Sequence, residues 1–470
     1  MTPNDDSGDH VSAIPIEPDK GEREALGLAV LDFLNDFVEE RGSSPASWDS
    51  PTDLPEAFSV GPPELGRDIE ALLEVLKQAT ETGFDTAGPG FLSYIPSGGL
   101  YSAALGTFVA STINRYTGAA HASPGVTAIE QSVVDWMVKL FGLPTGAGGL
   151  LLSGGSIANL TAVVAARSRL GDRFDDGVIY TSDRAHHSIT KAARIAGIGA
   201  DRVRIVATNA EFRIEPLALR QAVAEDATSG LRPMMIAATA GTTDTGAIDP
   251  LALCAAEAAS CGAWFHVDAA YGGFFQLTER GRDRLAGIEL ADSITVDAHK
   301  SLFAPFGLGG LIFRDPAALA TAHEGSGAYM QDVGDQDRPH FFEMGPELTK
   351  PTRGLPLWFA LHLHGTDQFR DTLDEMLDLA EDASRRLLQL PGIELACKPE
   401  LSVVAFRDVR GNGATLAVMD FINRSREVHV SSTTIEGLAY VRVAFLSQRT
   451  TTMMLDKTMG LIEQALESVP

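Results

Sequence analysis

From residue 86 to about residue 350, short runs rich in β-branched residues alternate with stretches of helical periodicity. This alternation is typical of a doubly wound α/β domain, in which helices cover both faces of a mostly parallel sheet. The sequence therefore predicts an α/β fold with a seven-stranded, mostly parallel sheet. The predicted strands are 149–152, 178–181, 203–206, 234–239, 264–267, 293–296 and 309–313.

The regions on either side of this sheet have patterns of their own. Apolar residues recur at three- and four-residue spacing over 22–40 and 63–82, which predicts two amphipathic helices. We interpret residues 1–85 as an N-terminal helical segment, too small for a domain, whose apolar stripes pack on a partner subunit. A large domain is predicted over 86–365. The renewed alternation of helices and strands after it predicts a small C-terminal α/β domain over 366–470.

The composition of the chain argues against several kinds of partner and location. The 470 residues carry a formal net charge of −26, which argues against nucleic acid or an anionic membrane surface as a partner. The three cysteines, Cys254, Cys261 and Cys397, form no CxxC pair, and the polar, acidic start of the chain is unlike a signal peptide. No window reaches the roughly 18–20 apolar residues of a membrane span. We therefore expect a cytoplasmic protein.

Two of the predicted strands end on residues that suit one cofactor. The strand 264–267 is followed by Asp268, and Lys300 comes shortly after the strand 293–296. A buried charge of either kind is costly unless it is paired. Pyridoxal phosphate (PLP) needs both residues, because a lysine forms a Schiff base with its aldehyde and an aspartate keeps its pyridine nitrogen protonated. The pair predicts a PLP site, without a metal, at the carboxyl ends of the strands.

Three further strand ends carry residues that could contact the same cofactor. The turn 153–156, Ser-Gly-Gly-Ser, precedes a helix, so its amides and Ser156 could hold a phosphate. An ordinary glycine-rich connection between a strand and a helix would have the same sequence. His186 could stack on the cofactor ring, or His186 and His187 could only begin a helix. Thr239 could donate a hydrogen bond to the cofactor or only end a strand.

Seven ordered segments resemble the PLP-dependent group II amino-acid decarboxylases, a family that includes the aromatic L-amino-acid, glutamate and histidine decarboxylases. The resemblance extends from the N-terminal helices to the segment 449–451. It is carried by the segments 90–96 (GFLSYIP), 123–124 (SP), 153–160, 185–186, 239–243, 266–271 and 297–300 (DAHK). The resemblance implies PLP fold type I and an obligate homodimer with active sites at the subunit interface.

The resemblance also implies a role for individual residues. Lys300 is expected to bind the cofactor aldehyde, Asp268 to pair with the ring nitrogen and His186 to stack on the ring, and these three are the expected catalytic residues. The other expected cofactor contacts are Gly155, Ser156, Thr239, Ala270, Asp297 and His299. The expected substrate contacts are Tyr94, Ile95, Pro96 and Ser97.

The implied reaction converts an L-amino acid to its amine through an external aldimine and a quinonoid intermediate. The Cα bond that stands perpendicular to the cofactor ring is the one that is weakened. Holding the α-carboxylate in that orientation, in a site shielded from water, selects loss of carbon dioxide over loss of the α-proton.

The chain departs from the family pattern in a mobile loop that often supplies a tyrosine to help protonate Cα. Counted back from Trp358, the position of that tyrosine falls near Phe341, beside His340. In this family a phenylalanine there is associated with oxidative deamination to an aldehyde, although Tyr329 or His340 could serve as the acid instead. The alternative to an amine-forming decarboxylase is therefore an aldehyde synthase on the same scaffold.

Substrate class and more distant activities stay open at the level of sequence. The family's aromatic decarboxylases usually carry a tryptophan shortly before the Ser-Pro pair, and this chain has none there. Arg115 could favour an acidic substrate or could form an interface salt bridge. Another fold type I activity, an aminotransferase or a lyase, is a further alternative. An aminotransferase would need an arginine for the α-carboxylate, and Arg353 and Arg442 are the candidates.

Overall fold

The computed structural model describes residues 16–49, 53–95, 97–325 and 340–468. The chain divides into two compact units. The smaller consists of Met1–Ser44 and Trp48–Asp85, and the larger of Pro45–Ser47 and Thr86–Pro470. In the described residues, no helix combines the length and the apolar composition that crossing a membrane requires.

The smaller unit contains the helices α1 (Lys20–Glu40) and α2 (Ile69–Thr80). α1 begins with a capping box, in which Asp19 Oδ1 accepts from the backbone N–H of Glu22 at 2.9 Å and the Glu22 side chain accepts from that of Asp19 at 2.8 Å. α2 begins later than the sequence pattern predicts, because prolines and a glycine precede it. Neither helix contains a fully buried residue, and Leu26, Leu72 and Leu76 of their apolar stripes are exposed.

The larger unit is built around a sheet of seven strands. These are β1 (Gly148–Leu152), β2 (Gly177–Ser182), β3 (Val203–Val206), β4 (Arg232–Thr239), β5 (Trp264–Asp268), β6 (Ser293–Asp297) and β7 (Gly309–Phe313). Their order is β1-β7-β6-β5-β4-β2-β3. β7 is antiparallel to both of its neighbours, and the other pairs are parallel. The predicted α/β fold with a mostly parallel, seven-stranded sheet is confirmed.

Helices connect and cover these strands. They are α3 (Tyr101–Ile113), α4 (Pro124–Leu140), α5 (Gly155–Ser168), α6 (Ser188–Ile195), α7 (Pro216–Thr228), α8 (Leu251–Cys261), α9 (Glu279–Arg284), α10 (Ala298–Ser301) and α11 (Pro316–His323). Because α5 to α8 each follow a strand, successive parallel strands all end at the same edge of the sheet. That edge contains the residues predicted for the site.

Alternate side chains of the strands enter two hydrophobic clusters, one on each face of the sheet. Leu151 and Ile236 belong to one cluster, whereas their neighbours Leu150 and Met235 belong to the other. On the face that α5 covers, β5 and β6 also carry buried polar residues. These are His266, Asp268, Ser293, Thr295 and Asp297.

The remainder of the larger unit contains a second sheet, which is antiparallel. Its strands are β8 (Ile393–Leu395), β9 (Val403–Asp408), β10 (Ser431–Ile435) and β11 (Leu438–Ala444), in the order β10-β11-β9-β8. The accompanying helices are α12 (Gly354–Leu387), α13 (Asn412–Arg424) and α14 (Thr452–Ser468). α12 has non-helical geometry at Gly365, where φ is 75°, so it consists of two helical stretches that meet at this residue.

Candidate active site

A cavity of about 320 Å³ opens at the carboxyl ends of the parallel strands, the edge at which open α/β sheets bind ligands. The β1–α5 turn, the segment after β2, and the ends of β4, β5 and β6 contribute to its wall. The nine residues that the sequence predicts as cofactor contacts all line it. They are Gly155, Ser156, His186, Thr239, Asp268, Ala270, Asp297, His299 and Lys300.

Asp268 is the last residue of β5 and is 6% exposed. Its Oδ1 accepts from the backbone N–H of Ala270 at 3.1 Å, and its Oδ2 accepts from Asn159 Nδ2 at 2.9 Å. Both donors are neutral, and among the described residues no cationic side chain forms an ion pair with Asp268. A buried carboxylate of this kind requires a positive partner. The protonated ring nitrogen of PLP fits that requirement.

Lys300 lies on the short helix α10, directly after β6. Its Nζ is 3.1 Å from Asp297 Oδ2, and its side chain is about one-quarter exposed, toward the cavity. The other carboxylate oxygen of Asp297 is buried and has no hydrogen-bond partner within the described ranges. The lysine that could hold the cofactor aldehyde is therefore fixed by a neighbouring carboxylate, and the cavity wall has a free acceptor.

The turn between β1 and α5 brings the N-terminal end of a helix to the cavity. α5 starts at Gly155, and the N–H groups of Gly155 and Ser156 have no acceptor within the helix, whereas that of Ile157 donates to the backbone oxygen of Gly154 at 3.0 Å. Free N–H groups at a helix N-terminus suit an anion such as phosphate. A Cβ at Gly155 would lie 3.1 Å from both Asp297 Oδ2 and the Cβ of Ala270. Gly309 on β7 is more tightly constrained, because a Cβ there would collide with Asp297 Oδ1 and with the backbone of Gly154. Small residues therefore stand where these segments approach one another.

Two histidine side chains in the cavity wall, those of His186 and His299, are both neutral because both are buried. Burial lowers the pKa of His186 and of His299 below the ordinary value. His299 Nδ1 accepts from the backbone N–H of Leu308 at 3.2 Å, so the ring proton is on Nε2. The His186 ring lies in the wall of the cavity, with its centroid 4.2 Å from that of His187. A neutral imidazole can lie against a cofactor ring without a charge having to be desolvated.

The contacts predicted from the sequence omit several polar residues of the cavity wall, among them Asn159 and Ser188. Asn159 is 1% exposed and donates to Asp268, and Ser188 is bonded to His186 at 2.8 Å. A signal existed for Asn159, since it is a polar residue on the otherwise apolar, buried face of α5. Ser188 has no comparable signal, because a serine at the start of a helix is ordinary.

The predicted substrate residues do not line this cavity. Tyr94 is 58% exposed and has a positive φ of 54°. Ile95 packs against the hydrophobic core, and the buried Ser97 donates to the backbone oxygen of Ala304 at 3.0 Å. Pro96 lies outside the described residues. In one chain, therefore, the segment that contains these residues stands apart from the cofactor cavity.

The predicted loop residues also lie away from the cavity. Phe341 is 1% exposed and belongs to the hydrophobic cluster that contains Leu150. Its ring centroid is 4.6 Å from Lys350 Nζ. The side chain of His340 is directed to the segment before α4, where its Nδ1 accepts from the backbone N–H of Ala120 at 3.4 Å. Tyr329 lies outside the described residues.

Neither arginine considered for a substrate carboxylate is free. Arg442 is 4% exposed, and its guanidinium donates to three backbone oxygens and to Ser431 Oγ. Arg353 is 8% exposed and forms a bidentate pair with Glu347 at 2.5 and 2.9 Å. Each guanidinium already has its partners within the fold, and neither lines the cofactor cavity.

The arrangement of a lysine, a buried aspartate and a phosphate cradle at the ends of parallel strands defines the class of PLP-dependent enzymes of fold type I. Residues 51–409 match the model of the pyridoxal-dependent decarboxylase conserved domain. The chain therefore belongs to the PLP-dependent group II decarboxylase family, and it is a PLP-dependent carboxy-lyase.

Comparisons with individual proteins agree with this membership. The chain is 30% identical over 461 residues to an aromatic-L-amino-acid decarboxylase of Bacillus atrophaeus, covering 95% of this chain and 96% of that protein. It is 32% identical to an L-2,4-diaminobutyrate decarboxylase of Rhizobium meliloti (strain 1021), with 85% and 82% covered. A crystal structure of 4-hydroxyphenylacetaldehyde synthase from Rhodiola rosea superposes with a TM-score of 0.88 at 24% identity, over 96% of this chain and 99% of that one. The relatives differ in substrate and product, whereas the fold is shared.

Proposed function

We propose that the protein removes the α-carboxylate of an L-amino acid and releases the corresponding amine. The observation that carries this proposal is the pairing of Lys300 with Asp268 in one cavity. Asp268 is buried and receives hydrogen bonds from neutral donors, so it is prepared for a cationic ligand atom. The decarboxylases among the relatives support the same reaction.

Several residues of the cavity wall have a proposed task. When bound, PLP supplies an aldehyde that condenses with amines and a ring that accepts the electron pair released at Cα. Lys300 provides the amine that retains the cofactor between turnovers, and Asp268 holds a proton on the ring nitrogen by accepting its hydrogen bond. His186 covers one face of the ring. The first-turn amides of α5, with Ser156 and His299, hold the phosphate.

We also propose that the active form is a homodimer. α3 exposes Phe108, Val109 and Ile113, and Phe306 beside the His299 ring is 72% exposed. Large apolar side chains grouped in this way are typical of a covered surface. Of the predicted substrate residues, Tyr94, Ile95 and Ser97 also lie outside the cofactor cavity of their own chain, as residues that act in a partner's site would. Sedimentation of the purified protein tests the dimer, and a monomer with full activity would exclude it.

An aldehyde synthase is the second candidate, on a specific observation. Phe341 has no hydroxyl and is buried beneath Lys350, so it cannot protonate Cα. In the oxidative reaction one amino acid, one O₂ and one water give an aldehyde, CO₂, ammonia and H₂O₂. The similarity to an aldehyde synthase supports this candidate as well. We favour the amine product, because the two relatives of 30% identity or more that are compared above are decarboxylases.

An aminotransferase is less well supported. It would need a free arginine for the substrate carboxylate, and the two candidates, Arg353 and Arg442, are already bonded within the fold.

A cytoplasmic location is supported by the cysteines, which are all free, because disulfides are rare in a reducing compartment.

The deciding experiment supplies the PLP-loaded protein with aromatic, acidic, basic and aliphatic L-amino acids in air, and identifies products by mass spectrometry. CO₂ and an amine from one class would establish the proposed reaction and its substrate together. CO₂ with an aldehyde, ammonia and H₂O₂ would establish the second candidate. A keto acid without CO₂ would contradict both.

A further inference from the structure

One buried side chain connects two walls of the cofactor cavity. Asn159 on α5 donates through Nδ2 to Asp268 Oδ2 at 2.9 Å and to Ser188 Oγ at 2.8 Å. Its Oδ1 accepts from His266 Nε2 at 3.0 Å and from Thr295 Oγ1 at 2.6 Å. Both hydrogens and both lone pairs of the amide are used. The amide is 1% exposed, so water does not compete for these bonds.

The direction of the bonds on the oxygen side follows from chemistry. Asn159 Oδ1 can only accept, so His266 Nε2 carries a proton. Burial lowers the pKa of His266 to about 4, which leaves the ring neutral and its Nδ1 an acceptor for Ser293 Oγ at 2.8 Å. Ser293 in turn accepts from Trp264 Nε1 at 2.7 Å. A reversed amide would oppose its oxygen to the carboxylate of Asp268, which can only accept, so the amide has one orientation.

The hydrogen bonds that the NH₂ group of Asn159 donates also fix proton positions, here in the wall of the cavity. Because Ser188 Oγ accepts from Asn159, its own proton is directed to His186 Nδ1 at 2.8 Å. The backbone N–H of Ser188 also points to that nitrogen at 3.3 Å. The proton of the neutral His186 ring is therefore on Nε2. A single amide thus determines the arrangement of Asp268 on one wall and of His186 on another.

We propose that Asn159 is a positioning residue which holds the carboxylate of Asp268 and, through Ser188, the ring of His186 in the one arrangement that accepts the cofactor. The inference rests on the proposed roles of Asp268 and His186. A residue that only held α5 on the sheet would have no need to direct both amide hydrogens to cavity residues.

The test removes the two amide hydrogens of Asn159 and keeps the size and shape of the side chain. Asn159→Asp retains an oxygen for His266 and Thr295, loses both hydrogens, and places a second carboxylate beside Asp268. Thr161→Ala is the matched control, since Thr161 is buried on the same helix and its hydroxyl bonds only to the backbone oxygen of Ile157 within the described part of the chain. The loaded proteins are dialysed against graded PLP concentrations. Bound cofactor is measured by its visible absorbance, whose pH dependence is also recorded.

We expect Asn159→Asp to weaken cofactor binding about 10- to 100-fold, as loss of a residue that orients a ligand-binding group does, and to shift the pH dependence of the absorbance. The control should bind within about twofold of the unmodified protein, even if both variants unfold at a lower temperature. Ser188→Ala removes only the hydroxyl that connects Asn159 to His186. It provides a second test of the proposal if Asn159→Asp fails to fold. It should alter the pH dependence of the absorbance.

Asp268→Ala, measured in parallel, separates the inference from the function on which it rests. Weak binding by Asp268→Ala together with normal binding and a normal pH dependence in Asn159→Asp would overturn the role of Asn159 alone. Unchanged binding by Asp268→Ala would remove the proposed role of Asp268, and the inference would fall with it. Equal loss in Asn159→Asp and Thr161→Ala would mean that Asn159 contributes only to the stability of the fold.

Discussion

Replacing Lys350 by methionine would leave the carboxylate of Glu130 in the protein interior without a cation. The side chains of this pair are 1% and 0% exposed. Among the described residues, the other donor to Glu130 is the backbone N–H of Gly354, at 3.1 Å. Removing one partner of a buried ion pair costs about 3–5 kcal/mol, most of it because the remaining charge stays desolvated. Methionine has nearly the volume of the lysine stem, so lost packing adds little.

This free energy converts to a measurable shift. The larger unit has about 390 residues, and at about 2.1 cal/mol/K per residue its unfolding entropy is about 0.8 kcal/mol/K. Lys350→Met should therefore lower the melting temperature by about 4–6 °C in differential scanning calorimetry. The pair joins α4 to the residues just before α12, so the loss should appear in the main transition.

The double variant Glu130→Leu/Lys350→Met provides the control. It removes both charges and should melt above Lys350→Met, with a remaining loss of about 1–3 kcal/mol because the N–H of Gly354 has no acceptor. If Lys350→Met melts at the temperature of the unmodified protein, the carboxylate is not held buried and the reasoning is wrong. A double variant less stable than Lys350→Met would contradict it as well.

Three other changes test the cofactor site and its surroundings. Lys300→Ala should retain no cofactor on the denatured chain after borohydride reduction, and retention would disprove the lysine assignment. Gly155→Ala places a Cβ 3.1 Å from Asp297 Oδ2 and should weaken PLP binding by about 1–3 kcal/mol, whereas Gly125→Ala, with nothing within 4 Å of its Cβ, should not. The pKa of His266, about 4 in the folded chain, lies below its ordinary 6.5, so the unfolded chain takes up the proton first as pH falls. From pH 7 to pH 5 the free energy of unfolding of the unmodified protein should fall by about 2 kcal/mol relative to that of His266→Gln. An equal change in the two proteins between these pH values would contradict this prediction.

Much of the fold could be predicted from the sequence, because its signals are local. The bounds of β3 and β7 agree with the predicted strands, and the other strands differ by one or two residues at their ends. The antiparallel direction of β7 has no local signal at all, because it depends on which edge of the sheet the strand joins.

The site divides in the same way. Asp268, Lys300 and the glycines after β1 could be recognised from the sequence because each lies at or shortly after the end of a strand, and parallel strands bring their carboxyl ends to one edge. Only the tertiary structure decided that Asn159 joins two walls of the cavity, that Phe341 is buried in the core, and that Arg442 is already bonded. These outcomes depend on contacts between residues far apart in the chain. The local sequence pattern indicates where a strand ends, whereas tertiary packing determines which buried polar groups come together and form hydrogen bonds.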